Sequence, residues 1–170
     1  MELKNGFFRE KQIPLPCGSS LFQRRYIITK VLGMGGFGIT YQARDTEAEA
    51  LVAIKELYPA GYVRRKNRTA RLEPISEKEE DFVYLKKRFQ EEADLLHTFQ
   101  NRPEILNIYN LFEENGTVYY AMEFLEGETL EKFLKREKYC SWTCLRKIAW
   151  PLLGSVEILH ENNLIHRDIS

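Results

Sequence analysis

The sequence predicts an α+β chain: an antiparallel sheet with one long helix, followed by further helices. Three observations predict it. Between Tyr26 and Lys55, runs rich in β-branched and aromatic residues are separated only by turns. From Glu80 to Phe99, apolar residues recur at helical spacing among good helix formers. Beyond Gly127 the pattern stays helical as far as Glu161.

In order, residues 1–25 carry Pro14, Pro16 and Gly18 with little periodicity and read as a loosely ordered lead-in, with Phe7, Phe8 and Leu15 as its packing residues. The run from Tyr26 to Leu32 is a first strand. A bend with four glycines in six residues follows, Gly33-Met34-Gly35-Gly36-Phe37-Gly38. Ile39–Arg44 is a second strand, Thr46–Ala50 a turn, and Leu51–Lys55 a third, more buried strand. Residues 57–80 connect. Their basic cluster (Arg64, Arg65, Lys66, Arg68, Arg71) and acidic cluster (Glu77, Glu79, Glu80, Asp81) read as a solvated surface loop. The helix over 80–99 ends at Pro103. Ile105–Phe112 and Thr117–Phe124 are strands, joined across Asn115-Gly116, a strong hairpin signal. A short helix covers Thr129–Glu137. A longer one begins at Ser141 as N-cap, with the stripe Leu145, Ile148, Ala149, Leu152, Leu153, Val156 and Leu159. Pro151 inside it predicts a kink near Ala149–Pro151.

Composition excludes some functions. Lys+Arg and Asp+Glu balance at 25 each, which supports neither wholesale nucleic-acid binding nor attachment to a membrane surface. No apolar run reaches the length of a membrane span, and the N-terminus is no signal peptide. Cys17, Cys140 and Cys144 show no metal-like clustering and read as reduced thiols. A cytoplasmic chain is the default expectation.

The glycine bend carries the first chemical signal. Each glycine gives up roughly 0.5–1 kcal/mol relative to alanine in a regular element, and such a turn suits close approach of backbone to phosphate. A dinucleotide-binding unit needs a helix after the glycines. Here a strand follows, so that reading fails. The Walker pattern fails as well, because no Gly-Lys-Ser/Thr closes the turn. A ligand-free glycine hairpin stays open on the turn alone.

The order of Gly33–Gly38, then Val52-Ala53-Ile54-Lys55 on a strand, then a glutamate-bearing helix, then His166-Arg167-Asp168, resembles the protein kinase superfamily from about Tyr26 onward. The wording GMGGFGITY, VAIKELYP and HRDIS most resembles its bacterial eukaryotic-like (Hanks-type) Ser/Thr branch. The resemblance implies a kinase N-lobe over 26–122, with a five-stranded antiparallel sheet and one long helix. The hinge and the first helices of an incomplete C-lobe would occupy 123–170. It implies phosphoryl transfer from ATP–Mg2+ to protein hydroxyls. Leu32, Gly33, Met34, Gly35, Gly36, Phe37, Gly38 and Thr40 would border the nucleotide. Lys55 would meet the α/β-phosphates, paired with Glu92 rather than Glu91, because Leu95 and Leu96 follow Glu92 at the family's spacing. Ala53 would pack on the adenine, Met122 would be the gatekeeper, and Glu123 and Leu125 would belong to the hinge. Asp168 would accept the substrate proton, with His166 and Arg167 organising its loop.

Two positions depart from the family pattern: Thr40 stands where valine is usual, and Ser170 where Ser/Thr kinases carry lysine. The family's Mg2+ ligands would lie beyond Ser170, so the expectation is a fragment that is inactive alone, with an apolar helix face that promotes association. The alternatives are a non-catalytic nucleotide-binding or scaffold module and a small-molecule kinase of related fold.

Overall fold

The computed structural model describes residues 12–66, 69–103 and 105–165. They fall into two compact units. One holds the chain up to Gln100 together with Asn107–Phe124; the other holds Asn101–Leu106 and the chain from Leu125.

The first unit is an antiparallel sheet. Its strands are β1 (Ser20–Leu21), β2 (Tyr26–Gly35), β3 (Gly38–Asp45), β4 (Ala50–Leu57), β7 (Ile108–Glu114) and β8 (Thr117–Glu123), in the order β1-β2-β3-β4-β8-β7. The expected five strands are present. The two-residue β1 adds a sixth, because Ser20 and Leu21 of the lead-in pair with Ile27 and Tyr26. The described part of the lead-in, residues 12–25, therefore packs on the sheet, with Leu15 buried. Phe7 and Phe8 lie outside the described residues.

The connecting segment also differs from expectation. It forms a hairpin of β5 (Val63–Arg65) and β6 (Leu72–Pro74), with Val63 and Leu72 in the core. Arg65 is buried rather than solvated. The reason is a buried carboxylate on β4, described below.

Helix α1 (Glu79–Thr98) buries Phe82, Phe89 and Ala93. Glu79, Glu80 and Asp81 lie in its first turn, where the helix dipole favours negative charge. The Asn115-Gly116 turn adopts positive φ at both residues (53° and 77°), as a primed hairpin turn requires. A side chain on Gly116 would strike the Leu72 carbonyl at 2.6 Å, so glycine there is demanded by packing as well.

The second unit contains α2 (Leu130–Glu137) and α3 (Trp142–Glu161). Thr129 and Ser141 cap them, accepting hydrogen bonds from Lys132 N and Cys144 N. Helix α3 continues through Pro151. Neither helix has a buried residue, and Trp142, Trp150 and Leu153 are exposed.

Candidate functional site

Strand alternation sorts the central sheet into two faces. The register runs Gly33↔Thr40, Thr40↔Lys55 and Lys55↔Tyr120 across β2, β3, β4 and β8. These residues form one row on one face. The next row carries Gln42, Ala53 and Met122. Helix α1 packs on this face through Phe89, whose ring stacks on Tyr120 at 4.9 Å. Glu92, one helical turn further along, then meets Lys55: Nζ lies 2.8 Å from Oε1. The Tyr120 hydroxyl donates to the same oxygen at 3.0 Å. The neighbouring Glu91 turns away and pairs with Arg88 on the helix surface.

The pair is only half enclosed, with Lys55 and Glu92 side chains 31% and 49% exposed. The Lys55 ammonium also sits over the rings of Tyr120 and Phe89, at 5.3 and 5.6 Å from their centroids. Burial, and then the Glu92 carboxylate, push the Tyr120 phenol well above its ordinary range, so it is a neutral donor.

The glycine turn closes on β2 and β3 with Gly35 opposite Gly38. Only Gly38 is forced by the fold: a Cβ there would sit 2.4 Å from the Glu56 carbonyl. Gly33, Gly35 and Gly36 have negative φ and open space where a side chain would stand. Neither conformation nor packing in this chain demands glycine at those three positions. Leu32, Met34 and Phe37 beside them are exposed, Phe37 at 69%.

The opposite face of β4 carries a second ion pair that sequence reasoning missed. Glu56 is fully buried, and Arg65 Nη2 bridges its two oxygens at 2.8 and 2.7 Å. Tyr41 and Tyr119 each donate a hydroxyl to Glu56 at 2.6 Å. Arg65 donates onward to the carbonyls of Ile13 and Ala70. Burial works against the Arg65 charge, but the Glu56 carboxylate outweighs it and the guanidinium is held more basic than usual. Burial, and then Glu56, push both phenols far up. The signal was present in the sequence: Lys55-Glu56 on one strand and Tyr119-Tyr120 on its neighbour send one member of each to either face.

Ala53 is buried and Met122 half-buried. Glu123 exchanges contacts with Asn107, its N–H donating to the Asn107 carbonyl at 2.9 Å. Leu125 is 68% exposed. His166, Arg167 and Asp168 lie outside the described residues. Cys140 and Cys144 are free thiols, and a hydrogen bond with Cys144 pushes Cys140 up to about 11. A cavity of about 220 Å³ between α1 and β7, lined by Asp94, His97 and Tyr109 among others, involves none of the candidate residues. Among the described residues, no helix is long and apolar enough to cross a membrane.

Comparison with known proteins follows the same line. The chain is 31% identical over 150 residues to "Serine/threonine-protein kinase PknA" of Nostoc sp., covering 88% of this chain and 24% of that protein. It is 30% identical over 151 residues to "Probable serine/threonine-protein kinase YbdM" of Bacillus subtilis, covering 88% of this chain and 51% of that one. The chain thus spans about a quarter of the first of these relatives and about half of the second. A solved structure titled "PpkA-294 apo form" superposes with a TM-score of 0.82 at 31% identity, over 92% of this chain and 55% of that one. The family model described as "Protein kinase domain" matches residues 26–170, and with the fold and the relatives in agreement the chain belongs to the protein kinase family.

Proposed function

We propose that this chain supplies the nucleotide-holding part of a Ser/Thr-type protein kinase, which transfers the γ-phosphoryl group of ATP to a protein hydroxyl. The observation that carries the reading is the row Gly33–Thr40–Lys55–Tyr120, with Glu92 reaching Lys55 from α1. Phosphoryl transfer asks a protein chiefly for positioning and charge neutralisation. Gly33, Gly35 and Gly36 leave open space over the turn, which suits phosphate oxygens approaching backbone N–H groups. Lys55 supplies a cation for those phosphates. Glu92, itself fixed by a hydrogen bond from the neutral Tyr120 hydroxyl, holds its ammonium in place, because the lysine stem alone leaves it several rotamers.

By family resemblance, Asp168 takes the proton of the attacking hydroxyl, and Ala53, Met122, Glu123 and Leu125 border the purine. Mg2+ is the family's usual companion of ATP. Among the described residues, no three His, Cys, Asp or Glu side chains come together as a metal site.

Titration with a fluorescent ATP analogue tests the reading. The chain binds the analogue, and Lys55→Ala weakens it at least about tenfold, equivalent to about 1.4 kcal/mol. Equal binding by the variant, or none by the parent chain, overturns it. Incubation with γ-labelled ATP, Mg2+ and a serine-rich protein tests turnover. Label on the protein, from this chain or from one extended past Ser170, supports the reading; no label from either overturns it.

A further inference from the structure

The glycine turn is held from behind by a residue outside the family-matched region of 26–170. Three successive carbonyls of the turn accept hydrogen bonds from elsewhere. Phe37 O accepts from Tyr58 N at 3.1 Å, and Gly36 O accepts from Ala60 N at 2.9 Å. Gly35 O accepts from the Gln12 side chain, Nε2 donating at 2.9 Å. The second proton of that amide goes to Tyr58 O at 2.6 Å. Gln12 is therefore a two-pronged staple between the tip of the β2–β3 hairpin and the residue that follows β4.

The staple is delivered by an ordered backbone. Leu15 is buried and its N–H donates to the Tyr41 hydroxyl at 3.0 Å. The Ile13 carbonyl accepts from Arg65 Nε at 2.7 Å. Both anchors belong to the buried Glu56 cluster. The segment before β1 is thus fixed to the structural face of β4, and from there its side chain reaches the edge of the candidate nucleotide face.

We propose that Gln12 is a positioning residue for the glycine turn: it fixes the Gly35 peptide so that the turn is set for nucleotide phosphates before they arrive. This rests on the nucleotide reading above. A glycine-rich hairpin has few local restraints, and a turn already ordered gives up less conformational freedom on binding. Gln12 acts through the turn and needs no contact with ligand.

The test compares the chain with Gln12→Glu and Gln12→Lys. Glutamate keeps the length but removes both donors and sets a carboxylate against two carbonyls. Lysine restores a donor. Amide hydrogen exchange over residues 33–40 without nucleotide, the thermal midpoint and affinity for a fluorescent ATP analogue are read for each. Gln12→Glu is expected to exchange about tenfold faster at Gly35–Gly38 and to bind the analogue several-fold more weakly, with the thermal midpoint unchanged. Gln12→Lys is expected to recover both. Unchanged exchange at the turn in Gln12→Glu overturns the proposal. A drop in thermal midpoint with exchange raised throughout the sheet also overturns it, since Gln12 would then be merely structural. If the parent chain binds no analogue, the nucleotide reading falls. Exchange then decides the staple alone: faster exchange confined to the turn sustains it, and no change removes it.

Discussion

Lys55 and Glu56 are consecutive on β4, and each forms an ion pair, but the two pairs are opposites. Lys55 reaches across a half-open face to Glu92 on a helix, with both side chains substantially exposed. Glu56 lies fully buried against Arg65, and two tyrosine hydroxyls complete its hydrogen bonding. A buried pair with every atom satisfied is costly to break, because removal of one partner strands a charge. A half-exposed pair is screened by solvent and contributes little. One strand therefore carries a fixed pair on its structural face and a readily exchanged pair on its candidate functional face. The phosphate-contacting role proposed for Lys55 requires an ammonium that is not bound irreversibly to its carboxylate partner.

The largest expected effect breaks the buried pair. Arg65→Met leaves the Glu56 carboxylate unpaired and is expected to destabilise the first unit by about 3–5 kcal/mol, read by urea unfolding. A double variant with Glu56→Gln should recover part of that loss. No recovery would show that Arg65 acts through packing alone.

Tyr119→Phe removes one charged hydrogen bond and is expected to cost about 1.5–3 kcal/mol by the same measurement. The tyrosines also set the response to base. Tyr41, Tyr119 and Tyr120 have folded-state values raised above the ordinary 10.0, and Tyr26 is pushed up to about 12 by burial. A raised value keeps the phenol neutral in the fold. The stabilisation is complete below about pH 10 and is lost as pH rises from there through the folded values. Unfolding in base, followed by tyrosinate absorbance, should be cooperative, and Tyr119→Phe should flatten its dependence on pH. Independent titration of each tyrosine at its ordinary value would refute the buried cluster.

The smaller effects concern Lys55. Lys55→Ala is expected to change stability by no more than about 1 kcal/mol while it abolishes most nucleotide affinity. A large loss of stability would erase the contrast with Glu56. Smallest is the response to salt. A double-mutant cycle of Lys55 and Glu92 should give a coupling of a few tenths of a kcal/mol that shrinks between 0.05 and about 1 M salt, where the screening length falls to about 3 Å. The Glu56–Arg65 coupling should hardly move.

Much of this was legible in the residues. The glycine bend, the strand carrying Lys55, the hairpin at Asn115-Gly116 and the cap Ser141 are local signals, and each recurs in the structure, although that strand runs on past Lys55 to Leu57. What failed was reading the environment of charge. Arg65 stands in a run of basic residues and looks solvated; only Glu56, Tyr41 and Tyr119 converging from β4, β3 and β8 make it a buried residue. Likewise nothing near Gln12 announces that its amide will meet Gly35, 23 residues away. Short-range pattern carries secondary structure, whereas burial of a polar group is decided by partners far along the chain.

The strand order β1-β2-β3-β4-β8-β7 has a consequence for how the chain is made. Contacts close in sequence form sooner than distant ones, and synthesis proceeds from the N-terminus. Glu56 and Arg65 are 9 residues apart, whereas Glu56 and Tyr119 are 63 apart. On the ribosome, the guanidinium is therefore available to Glu56 well before β8 exists. The half-made sheet β2–β3–β4 can hold its charge neutralised while its open β4 edge waits for the strand that completes it.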